Sequence, residues 1–127
     1  MSNLHQEVGK IVWTDLTVPK AKEVRDFYSS VVGWKSSDVD MGEYEDFTML
    51  TRTSSSAISG ICHARGENAD LPAQWLIYIL VADLDESIAQ CNQLGGKVIS
   101  GPKNMGRNRY CVIQDPAGAV AALFQQG

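Results

Sequence analysis

A strand-and-helix pattern occurs twice in this 127-residue sequence, and the second copy begins about 63 residues after the first. An apolar segment ends at Val18 in the first copy and at Val81 in the second, and each predicted helix is followed by a glycine, Gly33 or Gly96. A repeat of this length indicates one supersecondary unit used twice, with an apolar face that is buried when the copies pack together. The pattern therefore predicts two similar modules.

Hydrophobic periodicity predicts the order of elements in each copy. A strand opens each copy, and a helix follows it because apolar residues then recur at a spacing of three and four. The apolar positions of the first helix are Val24, Phe27, Tyr28 and Val31, and those of the second are Leu84, Ile88, Cys91 and Leu94. Asp83 is the predicted N-cap of the second helix. About three strands follow each helix, which predicts an α+β fold with the helices on one face of each sheet.

The predicted boundaries place module one at about 8–66, a polar linker at about 67–73 and module two at about 74–126. The length of the chain is typical of one domain. His5 precedes the first strand and is expected at the surface.

Charge and cysteine content exclude several classes of protein. The net charge is -4 and no basic stripe is present, so we expect no binding to nucleic acid. The three cysteines have no close spacing, which favours reduced thiols over a disulfide framework. The apolar runs are too short to span a bilayer, and no leader-like segment opens the sequence. We therefore expect a cytoplasmic protein with no membrane partner.

Three groups of residues resemble motifs of a known superfamily. They are Val18 with Phe27-Tyr28 and Gly33-Trp34, then Leu94-Gly95-Gly96-Lys97-Val98, then Asp115-Pro116-Ala117-Gly118 with Leu123-Phe124. In order and spacing they resemble the glyoxalase, bleomycin-resistance and extradiol-dioxygenase superfamily, also called vicinal oxygen chelate proteins. The resemblance implies two βαβββ modules whose curved sheets form a cup. It also implies a small-molecule ligand and a homodimer.

Metal-dependent members of this superfamily place His or Glu at four cup-facing strand positions. The resemblance puts the first, third and fourth of these positions at Trp13, Leu76 and Ala122, whose side chains do not ligate a divalent cation. The second position lies within 60–63, where Cys62 and His63 have donor atoms. One ligand does not make a metal site, so we expect no metal and no other cofactor, with His63 the remaining candidate.

If the resemblance holds, strand alternation selects the side chains that line the cup. The ligand-binding candidates are Trp13, Asp15, Thr17, Phe47, Met49, Leu76, Tyr78, Arg109 and Phe124, accompanied by Leu80 and Ala122. Arg109, near Arg107, would meet an anionic group at the mouth of the cup. This mostly apolar and aromatic set is typical of a small-molecule pocket. The alternative is that the same side chains fill the cup as core.

Asp15 is the candidate catalytic residue. A carboxylate beside Trp13 on one strand face would lose hydration, and such an acid can serve as a general acid or base. Three functions stay open on the sequence alone. The first is metal-independent binding of a small apolar or aromatic molecule. The second is metal-dependent lyase or dioxygenase chemistry, and the third is a metal-free enzyme that uses Asp15.

Overall fold

The computed structural model describes residues 7–127, so His5 lies outside the described residues. The described chain divides into two compact units, one of residues 14–75 and one of residues 7–13 with 76–127. Each unit is built around one helix and one group of four strands. Each is described separately below.

The unit of residues 14–75 contains the first module. Its elements are β1 (Ile11–Val18, which begins in the other unit), α1 (Ala21–Val32), β2 (Lys35–Asp40), β3 (Glu45–Leu50) and β4 (Ala57–His63). The strand order is β2-β3-β4-β1, and β1 pairs with β4 in parallel. A short 3-10 helix, Gly66–Asn68, follows the last strand. β2 is the outer strand, and all six of its residues are exposed.

The other unit contains the second module. Its elements are β5 (Trp75–Leu80), α2 (Leu84–Gln93), β6 (Lys97–Met105), β7 (Asn108–Gln114) and β8 (Val120–Gln125). The strand order is β5-β8-β7-β6, and β5 pairs with β8 in parallel. The segment before β1 joins this unit, because Gly9 N donates to Leu80 O and Leu80 N donates to Lys10 O. The second module thus repeats the strand order of the first.

Each helix covers one face of its own module. In the first module, Leu16, Val18, Phe47, Met49 and Ile61 form a buried cluster with Ala21 of α1. In the second, Leu84 of α2 packs with Cys111 and Leu123. The fold class is therefore confirmed as α+β with two βαβββ modules. The two helices begin at positions 21 and 84, which preserves the offset of about 63 residues between the copies.

The apolar stripes predicted for the helices are only partly buried. Val24 and Tyr28 pack on the first core, but Phe27 is 57% exposed and Val31 is 60% exposed. The reason is that Ala21, Val24 and Tyr28 occupy the sheet-facing side of α1, and the other two point away from it. Leu94 lies beyond the last residue of α2 and is 71% exposed. Asp83 is the N-cap, as predicted, and accepts a hydrogen bond from Glu86 N at 3.1 Å.

Strand boundaries differ from the prediction in both modules. The strand predicted at 46–53 ends at Leu50, because residues 51–56 form a turn held by Ser and Thr hydroxyls. β6 extends to Met105, five residues beyond the predicted end at Ser100.

Within residues 7–127, no helix is long and apolar enough to cross a membrane.

Candidate functional site

The sheet of the first module has one face covered by α1 and one face without a helix, called here the helix-free face. Leu16 and Ile61 are register partners and belong to the core under α1. Their neighbours in sequence, Asp15 on β1 and Cys62 on β4, point the other way because strand side chains alternate. Thr17 is the register partner of Cys62. Asp15, Thr17 and Cys62 therefore share the helix-free face, as predicted for the first two.

The Asp15 carboxylate lies over a glycine of the neighbouring strand. Asp15 and Gly60 are register partners on β1 and β4. A Cβ placed on Gly60 would overlap Asp15 Oδ1 and would stand 3.3 Å from Cγ. Because Gly60 has no side chain, the Asp15 carboxylate can occupy the space next to its Cα.

Two carboxylates lie near the Cys62 thiol. Burial raises the pKa of this thiol far above its usual value, and the negative charges of Asp15 and Asp46 and a hydrogen bond to Asp46 raise it further. The thiol is consequently protonated at neutral pH. Cys62 is a hydrogen-bond donor at this pH and not a nucleophilic thiolate.

His63 belongs to the opposite side of β4 and is engaged there. Its backbone N donates to Asp46 Oδ1 at 2.9 Å, and its Nδ1 lies 3.1 Å from the same oxygen. The imidazole also contacts the rings of Tyr44 and Phe47 at centroid distances of 5.4 and 6.0 Å. His63 therefore does not share a face with Asp15 or Cys62.

Two of the predicted pocket residues require correction. Phe47 and Met49 were expected on the cup-facing side of β3, but both are buried in the core under α1. Phe47 is the register partner of Ile61, and Arg25 of α1 lies over its ring at 4.6 Å. The side chains of β3 alternate between the two faces of the sheet. The sequence pattern does not reveal which of the two alternating sets of side chains faces the helix.

Arg109 also lies on the helix side of its sheet. It precedes Cys111 by two residues on β7, and Cys111 packs in the core under α2. Its guanidinium donates two hydrogen bonds to the carboxylate of Asp85, at 3.2 and 3.1 Å. The expectation that Arg109 would meet a ligand at the mouth of a cup is therefore corrected, because α2 supplies its acidic partner.

The second module has its own helix-free face. Tyr78 pairs with Ala122, and Leu80 pairs with Phe124, so these four share a face. Ile79 and Leu123 lie on the opposite face, in the core under α2. Leu76 precedes Tyr78 by two residues on β5, so its side chain lies on the same face. The predicted orientation of this set is thus observed, although Leu76 is only 1% exposed and Ala122 is fully buried.

A concave apolar cavity lies on the helix side of the second module. Its volume is about 350 Å³, and α2 and the turn between β7 and β8 form its walls. The lining residues include Cys91, Leu94, Ile113, Pro116 and Leu123. This cavity is separate from the helix-free faces.

The residues present do not fit a metal centre of the kind that the resemblance implies. Trp13, Leu76 and Ala122 have no atoms that ligate a divalent cation. Cys62 and His63 are successive residues of β4, and both side chains interact with the Asp46 carboxylate. Within residues 7–127, no group of three or more His, Cys, Asp or Glu side chains is arranged to hold a metal. Three of the four ligand positions that the resemblance implies therefore hold no ligating side chain.

The comparison with protein families settles the membership of the chain. The family model of the Glyoxalase/Bleomycin resistance protein/Dioxygenase superfamily matches residues 10–123. The chain belongs to this superfamily. The resemblance inferred from the sequence motifs is thereby confirmed.

Two related proteins are identical to the chain at 26% and 29% of the aligned positions. The putative glyoxylase CFP32 of Mycobacterium tuberculosis is 26% identical over 98% of this chain and 47% of its own length. The anthracycline biosynthesis protein DnrV of Streptomyces peucetius is 29% identical over 94% of this chain and 48% of its own length. The chain thus spans about half the length of both relatives.

Two solved structures share the fold of the chain. A methylmalonyl-CoA epimerase in complex with methylmalonyl-CoA and NH4+ superposes with a TM-score of 0.59 at 15% identity, over 95% of this chain and 96% of that chain. The methylmalonyl-CoA epimerase from Mycobacterium tuberculosis gives a TM-score of 0.58 at 13% identity, over 98% and 95%. At this level of identity the likeness shows the fold alone.

Gly60 and Cys62 were not identified as a pair with Asp15 from the sequence. A glycine inside a strand is the available signal, because it often marks a close approach of another group. The parallel pairing of β1 with β4 decides which side chain lies close to Gly60. This pairing brings together residues that are 45 positions apart in the sequence.

Proposed function

We propose that this protein binds a small apolar or aromatic molecule, without a metal ion, through the helix-free face of its sheet. The observation that carries the proposal is the alternation on β1, which puts Asp15 and Thr17 on the face that α1 leaves uncovered. A few polar atoms among apolar and aromatic groups are typical of small-molecule sites. Asp15 supplies the polar contact in this proposal.

The side chains of the second module support the same ligand class. Tyr78, which is 9% exposed, and Phe124, which is partly exposed, lie on its helix-free face, and Tyr110 lies 6.1 Å from Tyr78 between ring centroids. Aromatic rings provide a large contact area for an apolar ligand. Leu76 and Ala122 share this face and are buried.

The comparisons are consistent with a small-molecule ligand. One relative is named for anthracycline biosynthesis, and one structural neighbour was solved with methylmalonyl-CoA. Neither name fixes the ligand of this chain, because one fold hosts many functions. The proposal therefore specifies polarity and metal independence only.

Thermal unfolding in the presence of EDTA tests the proposal. The probes are indole, 2-naphthol, 3-propylindole and tryptamine, and a bound probe raises Tm in a concentration-dependent way because it stabilises the folded state. We expect at least one probe to raise Tm, and Asp15→Asn to change that shift. Asp85→Asn is the matched control, since Asp85 lies on the helix side of the second module. No shift with any probe in EDTA, combined with a shift on addition of Zn²⁺ or Mn²⁺, would contradict the proposal.

A homodimer is part of the proposal, and exposed apolar side chains on α1 support it. Phe27, Val31 and Val32 are each more than half exposed on one helix. Contiguous apolar patches of this kind often mark protein–protein contacts. Sedimentation analysis of the wild type should give twice the mass of the chain, and Val31→Lys should lower it. A wild-type protein of single-chain mass at all concentrations would refute this part.

A further inference from the structure

We propose that the apolar cavity of the second module is a further small-molecule site, which binds a neutral and largely apolar molecule of about two rings. The cavity lies between α2 and the turn that joins β7 to β8, on the helix side of the sheet. It is therefore a different site from the helix-free face of the proposed function, and the two can be tested separately.

Three parts of the second module supply the apolar lining of the cavity. The helix α2 contributes Cys91, and the residue that follows the helix is Leu94. The sheet contributes Ile113 from β7 and Leu123 from β8, and the turn between these strands contributes Pro116. A concave surface of this composition is typical of small-molecule sites.

The volume of the cavity sets the size of its ligand. This volume is about 350 Å³. An apolar cavity of about 150 Å³ holds one benzene ring, so the larger one has room for two rings. It also lies within the range of about 300–1,000 Å³ that small-molecule sites have. A single apolar side chain inserted from another protein would leave part of this volume empty.

The polar groups around the cavity favour a neutral ligand. Among the described residues that line it, only Asp115 is charged. Asp115 Oδ1 accepts hydrogen bonds from the backbone N–H groups of Ala117 and Ala119, both at 2.9 Å, so this carboxylate holds the turn. Its negative charge repels an anion, and a cation gains little from it because Asp115 is exposed to water. Ser87 and Gln90 of α2 offer uncharged hydrogen-bonding groups to a ligand hydroxyl.

Leu94 provides apolar surface that a ligand would cover. It lines the cavity and is nevertheless 71% exposed. An exposed leucine by itself is ordinary, but this one adjoins a concave apolar surface. A molecule in the cavity removes part of Leu94 from water, and the burial of this area contributes to binding.

Calorimetric titration with 2-naphthol in EDTA tests the site. We expect binding to the wild type, and Ser87→Met should weaken it about tenfold because the longer side chain occupies the cavity. Ala89→Met is the matched control, since Ala89 is exposed on α2 and does not line the cavity. Equal affinities of 2-naphthol for Ser87→Met and for Ala89→Met would overturn the site.

Protection of Cys91 tests the same site without any substitution. Saturating 2-naphthol should slow the labelling of Cys91 by iodoacetamide, because the bound molecule covers a thiol that lines the cavity. Peptide mass spectrometry reads the rate. Labelling of Cys91 at the same rate with and without saturating 2-naphthol would overturn the site.

Two charged probes with the same rings test the ligand class. Naphthalene-2-carboxylate is an anion at neutral pH, and 2-(aminomethyl)naphthalene is a cation. We expect 2-naphthol to bind more tightly than either, and the preference should be lost in Ser87→Met. A charged probe that binds as tightly as 2-naphthol and is equally sensitive to Ser87→Met would overturn the ligand class.

The outcomes separate this inference from the proposed function. Binding of 2-naphthol that is altered by Asp15→Asn and unaffected by Ser87→Met would place the ligand on the helix-free face, which overturns the cavity site and supports the proposed function. The opposite pattern supports the cavity site alone. No binding of 2-naphthol, combined with a lower sedimentation mass for Ser87→Met than for the wild type, would assign the cavity to a second copy of the chain and overturn the inference.

Discussion

The indole N–H of Trp75 donates a hydrogen bond to the hydroxyl oxygen of Tyr28, with 3.1 Å between Nε1 and the oxygen. The two rings meet edge to face at a centroid distance of 5.3 Å, and Trp34 stacks on Tyr28 at 5.6 Å. Tyr28 belongs to α1, and Trp75 is the first residue of β5. This contact ties the end of the connection after β4 to the helix of the first module.

Removal of the Tyr28 hydroxyl should destabilise the protein. Tyr28→Phe keeps the ring contacts and leaves the Trp75 N–H without its acceptor, which predicts a loss of about 1 kcal/mol in the free energy of unfolding. Urea denaturation followed by tryptophan fluorescence measures it. Val39→Thr is the control, because Val39 is exposed on the outer strand β2 and should change stability little. A Tyr28→Phe protein as stable as the wild type would show that this hydrogen bond contributes nothing net.

Ser59→Ala should make the protein more stable. Ser59 is 1% exposed, and its Oγ has no hydrogen-bond partner within residues 7–127. A buried hydroxyl without a partner costs free energy, so its replacement by a methyl group should raise the free energy of unfolding by about 1 kcal/mol. Denaturant titration tests this, with Ser100→Ala as a second buried serine for comparison. A loss of stability in Ser59→Ala would mean that the hydroxyl does find a partner in solution.

The ion pair between Asp85 and Arg109 should be visible in a pH titration. Hydrogen bonds from Arg109, together with its charge, hold the pKa of Asp85 below its usual value. The contribution of Asp85 to stability is therefore present at neutral pH and is lost as pH falls through its lowered folded pKa. NMR titration of the Asp85 carboxyl should show a higher pKa in Arg109→Gln. An unchanged pKa in that variant would contradict the pairing.

The thiols should differ in reactivity. Burial raises the pKa of Cys111 to about 11, and the pKa of Cys62 is raised further by burial and two carboxylates. Because the thiolate is the reactive form, iodoacetamide at pH 7.5 should label Cys62 and Cys111 slowly. We expect it to label Cys91 first, because this thiol is partly exposed and lines the cavity beside α2. Peptide mass spectrometry reads the order. Early labelling of Cys62 would contradict the buried, carboxylate-flanked thiol.

The raised pKa of Cys111 predicts a loss of stability in alkali. In the unfolded chain the Cys111 thiol ionises near pH 8.5, and in the fold it ionises at about 11. The folded state binds more protons between these values, so this contribution to stability is present below pH 8.5 and lost as pH rises through 11. Denaturation at pH 8 and pH 10 should show a smaller loss for Cys111→Ala than for the wild type. An identical loss in both proteins would assign the alkaline effect to other groups.

The sequence predicted the modules well because periodicity and glycine positions are local signals. Val18, Gly33 and the Asp83 cap mark element ends, and the structure has them there. The sheet face on which each strand side chain lies was harder to predict. On β1 the choice between Leu16 and Asp15 follows from polarity, but Phe47 and Met49 are apolar on a strand whose other face is also partly buried. Arg109 was misplaced because its partner Asp85 lies 24 residues away on α2.

The Gly60 and Asp15 contact could not be derived from either segment alone. It depends on a parallel register between β1 and β4, and register is fixed by the packing of Leu16 against Ile61 under α1. A strand pattern reveals alternation but not which residue lies opposite which. The spacing of residues within one segment therefore does not predict sites that are built from neighbours on two different strands.

The exposed outer strand β2 bears on how the chain behaves at high concentration. An unpaired strand edge offers free backbone donors and acceptors to a second molecule, which is a route to aggregation. Lys35, Asp38 and Asp40 place one positive and two negative charges along this strand. Any incoming strand would have to bring these charges out of water or match each of them. Colloidal solubility of the protein thus depends on a strand that takes no part in either hydrophobic core.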